Sequence, residues 1–152
     1  MLEVRLASHE ELPIVHALML EAFEEFRDKL DPPTGALKET LADVEAAATQ
    51  GGAFLAFWDG LPVGTGRYLF QGDHVYCGRL AVKPDYRGRG IAKALLDRIE
   101  QVAKEAGYPE VRLATREVMQ DNVRLYTSRG YEVVEVSEHQ SGGGNVRCLL
   151  WR

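Results

Sequence analysis

Apolar and polar residues alternate at the start of the chain, with Leu2, Val4 and Leu6 set against Glu3 and Arg5. A period of two predicts a half-buried strand over residues 2–7. The period then changes. Ser8-His9-Glu10-Glu11 has the form of a capping box, in which the Ser hydroxyl meets the Glu11 N–H and the Glu11 side chain reaches back. Leu12, Val15, Leu18, Met19, Ala22, Phe23 and Phe26 then recur at three- and four-residue spacing, which predicts a helix to about Arg27 with Pro13 in its second turn. Asp31-Pro-Pro-Thr-Gly35 is a loop by its turn chemistry. Leu37, Leu41, Val44 and Ala48 predict a second helix over about 36–49, ended by Gln50-Gly51-Gly52.

From there the apolar runs shorten. Strands are predicted over 53–58 and 61–70, joined by the hairpin dipeptide Asp59-Gly60, and over 74–82 after Gln71-Gly72-Asp73. A helix from Arg89 carries Ile91, Leu95, Ile99, Val102 and Ala106 inward and stops at Gly107 and Pro109. A strand at 111–115, a helix over about 120–129 ending at Gly130, a strand at 131–136, the glycine-rich loop 141–145 and a last strand at 146–151 complete the chain. The hairpin implies antiparallel pairing, whereas strand–helix–strand–helix–strand requires crossovers and some parallel pairing. The expectation is one α/β domain over residues 1–152, a mixed (α+β-like) sheet of about seven strands with helices on both faces, without repeats or linkers.

Composition narrows the function classes. At 152 residues, 45% hydrophobic and 27% charged, the chain suits a globular domain. No apolar run approaches the roughly 20 residues of a membrane helix, and no secretion signal is visible, so a cytoplasmic protein without a membrane partner is expected. Cys77 and Cys148 lie in apolar stretches and read as buried thiols. The four histidines show no metal-ligand spacing, so no metal is expected. A net charge of −5 argues against nucleic acid. Residues 1–60 hold 12 acidic and 4 basic side chains, and residues 61–152 hold 11 and 14. The basic part suits a polyphosphate, and the acidic part suits a cationic acceptor.

One stretch carries candidate chemistry. The strand ending Leu80-Ala81-Val82 breaks at Pro84 and turns through Arg87-Gly88-Arg89-Gly90 into the helix opening Ile91-Ala92. A glycine-rich turn at a helix start presents backbone N–H groups and the positive end of the helix dipole to an anion, and arginine adds phosphate-matching charge. A dinucleotide fingerprint is excluded because Lys93 stands where its third glycine would be, and no Gly-Lys-Ser/Thr step of a P-loop occurs. Arg87-Gly-Arg-Gly90-Ile-Ala92 resembles the Arg/Gln-x-x-Gly-x-Gly/Ala acyl-CoA motif of the GNAT superfamily of N-acetyltransferases. Asn122-Val-Arg-Leu-Tyr126-x-x-x-Gly130-Tyr131 is similar to that family's Leu-Tyr-x-x-x-Gly-Phe pattern. The element order β-α-α-β-β-β-α-β-α-β-β also matches, so the resemblance covers essentially the whole chain.

The resemblance implies acetyl-CoA as cosubstrate, its pyrophosphate on the backbone of Arg87–Ala92 and its pantetheine arm along Leu80-Ala81-Val82. It implies two central parallel strands that splay there, an oxyanion donor from the N–H of Ala81 or Val82, and Tyr126 as general acid. The sequence departs from the pattern in two places. Met119 stands where the family commonly has a cofactor-contacting Asn, leaving Asn122, one turn before Tyr126, as a candidate substitute. Tyr76 stands where the family often has a basic Glu, so the general base is open among His74, Glu21, Glu24, Glu25, Asp28 and a water chain. The expected reaction is direct transfer to a primary amine in a ternary complex, with a cationic small-molecule acceptor. A non-catalytic acyl-CoA-binding sensor or interaction module is the alternative, and a longer acyl group a third reading. Oligomeric state, a homodimer included, is left open.

Overall fold

The computed structural model describes residues 1–24, 38–116, 120–138 and 145–151, by backbone alone for 114–116, 120–123, 133–138 and 145–151. Its elements run β1 (Leu2–Leu6), α1 (Leu12–Phe23), α2 (Leu41–Ala48), β2 (Gly51–Trp58), β3 (Leu61–Gln71), β4 (His74–Val82), α3 (Ile91–Glu105), β5 (Val111–Arg116), α4 (Gln120–Ser128), β6 (Glu132–Glu138) and β7 (Asn145–Trp151). The seven strands form one mixed sheet in the order β1-β2-β3-β4-β5-β7-β6. Its one parallel pair among the described residues is β4 with β5.

Alternation along β2 divides the core. Ala53 and Leu55 pack on Leu12, Val15 and Leu18 of α1 and Val44 of α2. Phe54 and Ala56 face the other way, onto Ile91, Leu95, Leu96 and Ile99 of α3, a layer that Tyr126 of α4 and Tyr131 complete. Each fully buried aliphatic side chain contributes roughly 1.5–3 kcal/mol, so the two layers fix both helix pairs to the sheet.

Several element boundaries differ from the sequence expectation, each for a local reason. A short 3₁₀ turn at His9–Glu11 precedes α1, so Pro13 sits in the first helical turn, where its missing N–H leaves no gap in the ladder. The expected extension of this helix toward Arg27, and the loop at 31–35, lie outside the described residues. The second helix begins at Leu41, because Thr40 and Asp43 cap each other: Asp43 N–H donates to Thr40 Oγ1 at 3.2 Å and Thr40 N–H to Asp43 Oδ2 at 2.9 Å, and the expected start at 36–37 lies outside the described residues. Gly51 and Gly52 belong to β2 and do not merely end the helix. A Cβ on Gly51 would lie 1.9 Å from the Tyr68 carbonyl oxygen, so only glycine lets the strands approach there. In α3, Ala103 takes the buried place expected of Ala106.

Candidate active site

The parallel pair β4/β5 is short. Val75 pairs with Val111 and Tyr76 with Arg112, and no further pairing follows although both strands continue, β4 to Val82 and β5 to Arg116. The strands therefore fork after Tyr76. On its other edge β4 stays bonded to β3, and Lys83 N–H donates to the Val63 carbonyl at 2.8 Å. Antiparallel alternation then turns the N–H of Ala81 toward β3 and that of Val82 toward the fork.

The turn that follows β4 is built for backbone exposure. Gly88 (φ 79°) and Gly90 (φ 80°) are left-handed, and a Cβ on either would enter open space. Gly90 is the N-cap of α3, and the first helical bond runs from Ala94 N–H to the Gly90 carbonyl at 3.1 Å. The N–H groups of Ile91, Ala92 and Lys93 precede that ladder and carry the positive end of the helix dipole. The two arginines brace this turn with their side chains. Arg87 Nε donates to the Val82 carbonyl at 3.2 Å and its Nη2 to the Ala22 carbonyl of α1 at 3.4 Å. The Arg89 guanidinium lies 4.8 Å from the Tyr86 ring centre and 5.0 Å from that of Trp58. The turn thus presents backbone N–H donors outside the helix ladder beside two exposed arginines, an arrangement that suits an anion.

Tyr126 sits on α4 with its ring 5.9 Å from Tyr131, 6% exposed. Burial pushes its phenol well above the ordinary tyrosine value, and Cys77 and Tyr76 add to the shift. Those two neighbours place the phenol beside the point where β4 leaves β5. Gly130 (φ 94°) ends α4, and Tyr131 OH donates to Glu100 Oε2 at 3.0 Å, which ties this segment to α3. Glu100 also takes Arg129 Nη2 at 3.1 Å. Cys77 is a buried free thiol pushed up to about 12 by burial and then by Glu100, so it is not a nucleophile at neutral pH. Asn122 lies on α4, but its side chain and all of Met119 fall outside the described residues, as does the Cys148 side chain.

The candidate bases distribute unevenly. His74 is held by Asp73 at 3.0 Å at the far end of β4, about 23 Å from Ala81 at 3.3 Å per residue. Glu21 faces Lys83 at 3.7 Å. Glu25 and Asp28 lie outside the described residues. Among the described residues no His, Cys, Asp and Glu cluster could hold a metal, and no helix is long and apolar enough to cross a membrane.

Sequence reasoning missed a charged cluster on the α1 face of the sheet. Glu39 Oε1 meets Arg67 Nη1 at 2.5 Å, and Glu39 Oε2 accepts from Arg79 Nε at 3.1 Å. Burial works to raise the Glu39 carboxyl, but hydrogen bonding and charge from Arg67, then Arg79, outweigh it and hold the group below the usual carboxylate range. His16 Nε2 bonds the Glu39 carbonyl at 2.8 Å. Arg79 reaches this face through a bulge. Val75 and Cys77 face α3, and a regular strand would send Arg79 the same way. Instead Arg67 pairs with Gly78 and Thr65 with Ala81, Arg79 takes φ 50°, and the alternation resumes with Leu80 and Val82 toward α3. A left-handed non-glycine residue costs roughly 1–2 kcal/mol. The available signal was an arginine in the middle of each of two apolar strands, Val63–Phe70 and Val75–Val82.

Residues 13–131 match the family model described as the acetyltransferase (GNAT) family. The chain belongs to this family. N-acetyltransferase 8 of Mus musculus is 44% identical over 73 residues, 48% of this chain and 29% of that protein. Thialysine N-epsilon-acetyltransferase of Bos taurus is 31% identical over 81 residues, 50% of this chain and 48% of that one. The chain thus spans less than half the length of these curated relatives. Among solved structures, the ribosomal-protein-S18-alanine N-acetyltransferase of Escherichia coli superposes with a TM-score of 0.81 at 16% identity, over 99% of this chain and 92% of that one. PaiA N-acetyltransferase of Thermoplasma acidophilum, solved in complex with coenzyme A, superposes with a TM-score of 0.79 at 19% identity, over 97% and 98%. These likenesses concern the fold. The forked β4/β5 pair and the glycine turn are the GNAT features expected from the sequence.

Proposed function

We propose that this GNAT chain is an N-acetyltransferase that moves an acetyl group from acetyl-CoA to the primary amine of a small molecule in a ternary complex. The observation that carries the reading is the fork itself: the gap between β4 and β5 has the glycine turn at one end and the Tyr126 phenol beside its vertex. Arg87–Ala92 hold the pyrophosphate through backbone N–H groups, and the arm runs along Leu80-Ala81-Val82. The Val82 N–H, turned into the fork, is a donor that the arm can bond. Acetyl-CoA supplies the activated acyl group.

Tyr126 then serves as an acid. The phenol, protonated at neutral pH, is available to donate a hydrogen bond to the departing sulfur, although burial raises its titration and so weakens it as a proton acid. The amine must shed a proton before attack. A cationic acceptor is expected from the acidic residues 1–60, several of which are paired within the protein. Glu11 is bound to Arg5, Glu21 faces Lys83, Asp43 caps α2, and Glu39 lies between two arginines.

The test is release of CoA thiol from acetyl-CoA across a panel of polyamines, amino acids, aminoglycosides and peptides. Release with at least one amine is expected. Tight acetyl-CoA binding with no release for any acceptor would contradict the enzymatic reading and favour an acyl-CoA-binding module.

A further inference from the structure

We propose that Arg79 is a specificity residue that binds a carboxylate on the acceptor, so that the preferred acceptor carries both an amine and an acid group. This rests on the acetyltransferase reading, because it assigns a role within the same site.

Three observations converge on Arg79. The first is position. Arg79 lies on β4 three residues past Tyr76, the last residue paired with β5, and two residues before the Ala81-Val82 segment that borders the fork. The second is orientation. The bulge at φ 50° takes the side chain out of the α3 core and delivers it to the α1 face, where Glu39, Arg67, His16 and Met19 meet. A bulge next to an active site that re-aims one side chain is a recurring device, and a left-handed arginine is a costly way merely to fill a strand position.

The third is charge. The Arg67 side chain is 9% exposed and is matched by Glu39 at 2.5 Å, with its Nη2 against Met19 Sδ and Asp43 near enough to sense its charge. Glu39 is 12% exposed and already shared. Arg79 is the guanidinium left over. It touches Glu39 through Nε alone at 3.1 Å, its side chain is 35% exposed, and its Nη1 and Nη2 make no hydrogen bond or ion pair among the described residues. Glu39 therefore fixes the plane of Arg79 and leaves the outer fork of two N–H donors facing out. That fork fits the two oxygens of a carboxylate.

The experiment compares matched acceptors on the full chain: α-amino acids and lysine against their carboxamides and against cadaverine, with CoA thiol release giving kcat and KM. The wild type is expected to favour the acid-bearing member of each pair by about 10- to 100-fold in kcat/KM, the effect of a hydrogen-bonded charge pair. Arg79→Gln is expected to erase that preference by raising KM for the acids, with the carboxamides unaffected, and Arg79→Lys is expected to restore part of it. Calorimetric titration of the same acceptors in the presence of CoA reads binding without turnover. If no acceptor is acetylated, the acetyltransferase reading falls, while acid-selective binding lost in Arg79→Gln still supports the carboxylate site. Equal binding and turnover of acids and carboxamides, or an acid preference that survives in Arg79→Gln, would overturn it.

Discussion

Two glycine pairs in this chain look alike in sequence and do opposite work. Gly51-Gly52 follows a helix and reads as its end, and Gly88-Arg89-Gly90 precedes one and reads as a turn into it. In the structure, Gly51 lies in β2 with the Tyr68 backbone so close that a Cβ would sit 1.9 Å from its carbonyl oxygen. Gly88 and Gly90 have positive φ and nothing within 4 Å of the place a Cβ would take. The first pair is glycine because protein is in the way. The second is glycine because the backbone turns left-handed and leaves its face open. Absence of a side chain is therefore evidence of a binding site only when the vacated space is empty.

The contrast divides substitutions into those that damage folding and those that damage function. Gly51→Val should show the largest effect, a loss of stability of more than about 3 kcal/mol, because backbone has to move. Denaturant unfolding would measure it, and a near-wild-type midpoint would break the packing half of the comparison. Tyr126→Phe should be its opposite. Turnover is expected to fall by about 100-fold, in the range of a lost general acid, with acetyl-CoA affinity and unfolding midpoint little changed. An unchanged kcat would remove the assignment of Tyr126 as acid.

Smaller effects sharpen the division. Tyr131→Phe deletes the buried donor to Glu100 and leaves that carboxylate with Arg129, so a loss of about 1–2 kcal/mol is expected. Acetyl-CoA affinity should not change, since the bond ties α4 to α3 and lies away from the glycine turn. The smallest effect concerns pH. Hydrogen bonds from Arg5, then from the Ser8 backbone, hold the Glu11 carboxyl at about 2, against 4.5 for the free group. A depressed acid contributes stability above its unfolded value and loses it as pH falls through the folded one. Thermal scans should therefore show stability falling between pH 4.5 and pH 2, with that part of the fall missing in Glu11→Gln.

The same division explains how much was legible in the sequence. Element order was readable throughout, because each segment keeps one period and ends at a glycine, a proline or a cap. Boundaries failed where a signal had two readings: Thr40 reads as helix interior unless Asp43 is seen as its capping partner, and Gly51 reads as a helix end until Tyr68 is placed beside it. The glycine turn before α3 was legible because glycine spacing reports backbone conformation directly. The α1-face cluster was not. Glu39, Arg67 and Arg79 are far apart in sequence and meet only through the sheet and a bulge that no local pattern announces.

The measurement that bears most directly on the central claim is calorimetric titration of acetyl-CoA into the wild type and into Gly90→Leu. The substituted residue would place its side chain in the open space over the start of α3. The expected result is saturable binding to the wild type and at least a 100-fold loss in Gly90→Leu, about 2.7 kcal/mol, with a circular dichroism spectrum unchanged from the wild type. Undiminished affinity in a folded Gly90→Leu would contradict the assignment of Arg87–Ala92 as the site that holds the acyl donor.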